Sequence, residues 1–243
     1  MLPKYPLLIL SGSFLSSATA SSPAAPLAAN RHSSTACEST HIFIARGLGE
    51  PYPGRQGDLA NAICQGNPSC GYQSIEYTGT RDNYCSDVGT GVANGADAIS
   101  AYAAECPEAK LVLMGFSMGA HVVGDILGGG GGDCPMGGSQ PANDGFDPNE
   151  APGNQIVAAT LFGDVRHTPG QAYNQGTGAD GSGAWPRQGN QLDSLNKWTS
   201  KLRSWCVSGD PVCAGGDDES AHVSYFEPDG VMDEAAEWVR EKL

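Results

Sequence analysis

Short apolar runs alternate with segments whose apolar residues recur at helical spacing. That alternation limits the chain to a layered α/β architecture more tightly than any other feature. "HIFIA" (41–45) is rich in β-branched and aromatic residues and ends at Arg46-Gly47, the pattern of a buried strand. "QSIEYT" (73–78), "KLVLMG" (110–115), "QIVAATLF" (155–162) and "LRSWCV" (202–207) read as four more strands. Between them, "DLANAIC" (58–64), the segment 88–103 and "MGAHVVGDIL" (118–127) read as helices. In 88–103, Val88, Val92, Ala96, Ile99 and Ala103 recur at helical spacing. "GVMDEAAEWVREKL" closes the chain as a helix with Val231, Ala235, Trp238 and Val239 on one face. The stretches 128–154 and 163 to about 190 are polar and Gly-rich, and read as irregular loops. The expected fold class is α/β: one domain with a five-stranded parallel sheet and helices on both faces. The expected strand order is 2-1-3-4-5, which opens a switch point between strands 1 and 3 at their C-terminal ends.

Two segments meet at that switch point. "GLGE" (47–50) follows strand 1, and "GFSMG" (115–119) follows strand 3. With 34 Gly in 243 residues, chance alone supplies roughly 0.4 Gly-X-Ser-X-Gly pentapeptides, so the pattern carries little without its context. The context is a strand, a turn flanked by Gly115 and Gly119, and then a helix. That is the setting of a nucleophile elbow, with Ser117 at its apex. A phosphate-binding loop does not fit, because neither Gly115–Gly119 nor Gly128–Gly132 runs into Gly-Lys-Ser/Thr.

A serine nucleophile needs a base and a carboxylate to orient it. Five histidines are available. His32 precedes the domain, His41 starts strand 1 at the wrong end of the sheet, and His121 lies one turn into the helix, pointing away from the elbow. His167 follows strand 4 and stays in contention. His222, in "DDESAHVSYFEPD" between the last strand and the last helix, occupies the position where a Ser…Asp…His hydrolase supplies its base. The acid is Asp164, after strand 4, or Asp210, in "CVSGDPVC" between Cys206 and Cys213. A disulfide across that short loop would hold Asp210 rigidly. Asp217 and Asp218 sit in a solvated run.

"MLPKYPLLILSGSFLSSATA" reads as a secretory signal peptide over residues 1–20, followed by a linker over 21–36 and the domain over 37–243. Its apolar run is too short to span a membrane. Eight cysteines, an even number, suit a secreted chain with four disulfides, and no Cys-X2-Cys pair or close His pair suggests a metal site. A net charge of −14 argues against nucleic acid and anionic membranes as partners.

"IFIARGLGE", "CPEAKLVLMGFSMG", "LFGD", "WCVSGDPVC" and "AHVSYFEPDG" together resemble the cutinase and acetylxylan esterase family over residues 37–243. The Cys-X3-Asp-X2-Cys segment with a following His is the most specific part. The resemblance implies a cutinase-like α/β-hydrolase fold and serine esterase activity without a cofactor. It implies Ser117 as nucleophile, Asp210 as acid and His222 as base, which leaves Asp164 as a structural turn residue. It also implies disulfides Cys37–Cys106 and Cys206–Cys213. Cys64, Cys70, Cys85 and Cys134 then allow three pairings, with Cys64–Cys70 and Cys85–Cys134 preferred. Leu48 and Met118 fall at the oxyanion-hole positions, where the family usually has Ser or Thr and Gln. Their backbone N–H groups remain as donors, while a side-chain hydroxyl and an amide are lost.

In cutinases of that family picture, the segment between the second loop Cys and the His is apolar. Here it is "AGGDDESA", whose acidic groups desolvate poorly against an aliphatic polyester. The expected substrate is therefore a short acyl ester on a polysaccharide such as acetylated xylan, and the expected state is a secreted monomer. The alternatives are a cutinase acting on longer acyl esters, and a non-catalytic binding protein on an esterase scaffold.

Overall fold

The computed structural model describes residues 37–243. The signal-peptide and linker readings for 1–36, and His32, lie outside the described residues. Eight strands form, in chain order: β1 (Thr40–Ala45), β2 (Cys70–Ser74), β3 (Lys110–Phe116), β4 (Gly130–Asp133), β5 (Ser139–Asn143), β6 (Ile156–Phe162), β7 (Asn174–Gln175) and β8 (Leu202–Trp205). The α-helices are α1 (Gly57–Cys64), α2 (Tyr84–Glu105), α3 (Met118–Gly128), α4 (Gly189–Asn196), α5 (Glu219–Val223) and α6 (Met232–Arg240).

The main sheet has six strands in the order β2-β1-β3-β6-β8-β7, and every pairing in it is parallel. Its first five strands carry the doubly wound order expected from sequence. The sixth, β7, is two residues long and adds at the edge beside β8. Alternate residues of each strand supply two cores. Phe43, Leu111, Leu113 and Leu161 pack against α2 and α3 on one face. Ile42, Ile44, Val112, Met114 and Phe162 pack against α1 and α6 on the other. Burial on both faces explains why these strands read as continuous apolar runs.

Three sequence readings shift. The second strand lies at 70–74, not 73–78. As an edge strand it is only half-buried, so its ladder needs no apolar alternation. The apolar pair that suggested a strand, Ile75 and Tyr77, instead fills the core just past the ladder. The 128–154 stretch, read as irregular, contains the antiparallel hairpin β4–β5. Three glycines in β4 give no side-chain period to detect. The hairpin is held by the Cys85–Cys134 disulfide and by Gln140 donating to Asp125 at 2.7 Å. Helix α4 also went unread, because Leu195 is its one fully buried side chain. The remaining disulfides are Cys37–Cys106, Cys64–Cys70 and Cys206–Cys213.

Candidate active site

Strand β3 ends at Phe116 and α3 begins at Met118, so one residue makes the whole turn. That residue is Ser117, with φ 54° and ψ −118°. It is the one non-glycine residue with positive φ among the described residues. Such a conformation costs about 1–3 kcal/mol and persists only where neighbours enforce it. Here they do. Ser117 N–H donates to the Phe162 carbonyl at 2.8 Å, tying the turn to β6. A Cβ at Gly115 would strike the Gly119 carbonyl, and a Cβ at Gly119 would strike the Ala45 carbonyl. Both glycines are therefore required by close backbone approach.

His222, on α5, brings Nε2 to 2.9 Å from Ser117 Oγ. Its Nδ1 lies 2.9 and 3.0 Å from the two Asp210 oxygens. An ionised carboxylate only accepts, so Nδ1 carries the proton and Nε2 is left to accept from the Ser117 hydroxyl. Phe116 stacks on the imidazole, 5.1 Å between centroids, and limits its tilt. Asp210 is fully buried inside the loop closed by Cys206–Cys213. It accepts from Val212 N–H at 2.7 Å and from Tyr225 Oη–H at 2.5 Å. Burial pushes its carboxyl up, but hydrogen bonds from His222 and Tyr225, the His222 charge and the Val212 N–H outweigh it. The net result lies below the usual carboxylate range. The Tyr225 hydroxyl is pushed up, first by burial and then by the Asp210 charge, so it stays a donor. Sequence reasoning missed Tyr225. Its signal was its place in "AHVSYF", three residues past His222, where a further helical turn carries it back toward the same carboxylate.

The other candidates lie elsewhere. His41 is at the opposite end of the sheet, beside Glu38 and Gln73. His121 is fully buried, 3.2 Å from Tyr84 Oη and 3.1 Å from Asp125 Oδ2. His167 bonds to the Ala179 carbonyl at 3.0 Å. Asp164 accepts from Arg166 N–H at 2.9 Å, a turn contact, and also from Arg187 at 2.6 Å. Arg187 and Arg166 both reach Asp125, at 3.0 and 3.1 Å. Asp164 thus belongs to a buried ion cluster beneath the site, which the sequence did not reveal. Asp217 and Asp218 are exposed, and Asp218 caps α5 through Ser220 N–H.

Met118 follows Ser117 as the first residue of α3, and Leu48, in the loop after β1, lines the same cleft as Ser117. The Met118 side chain is fully buried in the core, so only its backbone faces the turn. Among the described residues, neither N–H is taken up by a backbone or side-chain acceptor outside regular elements. The 46–50 loop is braced by charged groups that sequence reasoning passed over. Glu50 accepts from Gly47 N–H at 3.0 Å and pairs with Arg55 at 3.0 Å, while Arg46 donates to the Glu50 carbonyl at 2.7 Å.

Ser117 and His222 open into a cleft of about 370 Å³. Leu48, Tyr84, Phe116, Val165, Val212 and Val223 give it apolar walls, and Glu50, Arg55, Arg81 and Glu219 add charge. Such a site can activate a hydroxyl by proton removal and hold an acyl group next to it.

The chain is also similar to known proteins. The family model described as Cutinase matches residues 36–243. Acetylxylan esterase 2 of Talaromyces purpureogenus is 29% identical over 224 residues, covering 85% of this chain and 88% of that protein. Cutinase 11 of Verticillium dahliae is 30% identical over 218 residues, covering 85% and 70%. The catalytic core domain of acetyl xylan esterase from Trichoderma reesei superposes with a TM-score of 0.74 at 27% identity, covering 85% of this chain and all of that one. This chain belongs to the cutinase family, has its α/β-hydrolase fold, and is a carboxylic ester hydrolase.

Proposed function

We propose that the chain is a secreted, monomeric serine esterase that removes acetyl or similarly short acyl groups from a plant cell-wall polysaccharide, acetylated xylan being the first substrate to test. The observation that carries the reading is the unbroken chain Ser117 Oγ, His222 Nε2, His222 Nδ1, Asp210, with both links near 2.9 Å. In this mechanism, His222 takes the Ser117 proton as Oγ attacks the ester carbonyl. The tetrahedral oxyanion accepts from the Leu48 and Met118 N–H groups. The C–O bond to the alcohol breaks, and the alcohol leaves with the proton from His222. Water then attacks the acyl-enzyme through the same base, releasing the acid and restoring Ser117. Asp210 stays ionised and fixes the imidazole tautomer.

Two features support a short acyl group on a hydrophilic carrier. The 214–220 segment beside the cleft is polar and mostly exposed, with Asp217, Asp218 and Glu219 at the surface. The relatives include an acetylxylan esterase covered to 88% and the catalytic core domain of another covered in full. The apolar walls at Val165, Val212 and Val223 favour a second reading, hydrolysis of longer acyl esters as in a cutinase. Aryl esters from acetate to a long acyl chain, assayed with wild type and Ser117→Ala, decide between them. The expected result is a kcat/KM that is highest for acetate and falls by about a million-fold in kcat for the variant. A maximum at long chains would move the assignment to the second reading.

A further inference from the structure

A second depression adjoins the catalytic cleft. It is an open trough of about 320 Å³ lined by Trp185, Gln188, Gln191, Asp133 and Arg166, and it meets the cleft at Ala184, which lines both. The strap that separates them is bonded to the cleft wall. Ala184 N–H donates to the Val212 carbonyl at 3.0 Å, and Trp185 N–H to the Val165 carbonyl at 2.9 Å.

The trough is held in shape. The Arg166 guanidinium lies 4.4 Å from the Trp185 ring and donates to Gln191 Oε1 at 2.6 Å, while Gln191 Nε2 donates to the Gly131 carbonyl at 3.2 Å. The His121 ring meets Trp185 edge-on at 5.4 Å. Trp185 is nevertheless partly exposed, and Gln188 and Asp133 are exposed. A partly exposed indole braced by Arg166 and His121, beside the exposed Gln188 amide and Asp133 carboxylate, matches a sugar ring, which presents C–H groups on its faces and hydroxyls around its rim. The charge pattern argues against an anionic ligand. Arg166 already contacts Asp125 at 3.1 Å, and Asp133 adds negative charge.

We infer that this trough is a glycosyl subsite, binding a neutral sugar unit next to the one whose ester carbonyl sits at Ser117. The inference rests on the polysaccharide reading above and adds where the polymer backbone runs. Contacts to a remote part of the substrate hold the ester for attack without touching the reacting atoms.

The test compares kcat/KM on acetylated xylan and on aryl acetate for wild type, Trp185→Ala, Trp185→Phe and Gln188→Ala. Alongside it, calorimetry measures xylo-oligosaccharide binding to Ser117→Ala with and without Trp185→Ala. The expected result is that Trp185→Ala loses about tenfold more on the polymer than on the aryl ester, through KM, equivalent to ~1.4 kcal/mol. Trp185→Phe recovers most of that difference, and oligosaccharide binding weakens by the same factor. Equal losses on both substrates, or undiminished oligosaccharide binding, would overturn the subsite while leaving the esterase reading intact. Wild type that cleaves aryl acetate but not acetylated xylan would overturn the polysaccharide reading and the subsite with it.

Discussion

Tyr225 Oη donates to Asp210 at 2.5 Å, on the same carboxylate that His222 Nδ1 reaches at 2.9 Å. The tyrosine thus helps hold the acid ionised and pointed. Removing its hydroxyl leaves a buried carboxylate short of one donor, a change of about 1.5–3 kcal/mol for a bond to a charged group. Tyr225→Phe is expected to lower kcat more than it raises KM. Its stability cost has a pH signature. The depressed Asp210 carboxyl contributes stability that is present above the unfolded carboxyl value near ~3.9 and lost as pH falls through the lower folded value. The variant has a higher folded value, so its Tm deficit should be largest above about pH 4 and shrink below it. A deficit independent of pH would point to lost packing instead.

Leu48 stands where the resemblance leads one to expect a hydroxyl donor, and it lines the cleft. One oxyanion donor is worth about 100- to 1,000-fold in kcat when removed from a site that uses it. Leu48→Ser should therefore raise kcat on aryl acetate, by about tenfold after allowing for imperfect placement. Unchanged or reduced kcat with an unchanged fold would mean that the backbone donors already saturate the oxyanion.

Glu50 braces that loop through Gly47 N–H and Arg55. Glu50→Ala is expected to lower kcat on every ester by about tenfold, since a misplacement of ~1 Å costs far more than a lost contact. Glu50→Gln, which keeps the acceptor, should lose less. Equal losses would show that charge, and not the bond to Gly47, does the bracing.

Arg187 is fully buried and bonds to both Asp164 and Asp125. Burial pushes the Asp125 carboxyl up, but His121, Arg187 and Arg166 together hold it well below the usual range. Arg187→Met would leave two buried carboxylates without their shared cation, a loss of about 3–5 kcal/mol. Urea unfolding should show a loss of that size in the free energy of unfolding at pH 7. The loss should narrow as pH falls through the carboxylate range, where the wild-type contribution from Asp125 is itself lost. A loss under about 1 kcal/mol would place the pairing energy elsewhere in the cluster.

The layered architecture was legible because buried parallel strands are apolar on both faces, as in Phe43 and Ile44 of β1. The candidate nucleophile and acid were legible because one follows a strand between two glycines and the other lies in a short cysteine-bounded loop; the candidate base was legible from its place between the last strand and the last helix. Tyr225, Glu50 and the Arg187 cluster were not. The carboxylates that Tyr225 and Arg187 reach lie 15 and as many as 62 residues away, and no local period marks a hydrogen bond over such a separation; Glu50 bonds only three residues back, but in a loop whose contact to a backbone N–H leaves no pattern in residue type. The hairpin at β4–β5 escaped for a related reason, since glycine carries no face.

Sequence by itself determined the order of strands and helices, the elbow glycines and the residue types at the turn. These follow from burial periodicity and backbone sterics, which act within a few residues. Tertiary structure decided which of the four described histidines lies within hydrogen-bond distance of Ser117, which aspartate meets that histidine, and what holds the aspartate ionised. Hydrogen-bond geometry is a matter of tenths of an ångström between atoms far apart in the chain, and only the packed sheet brings His222 and Asp210 to Ser117.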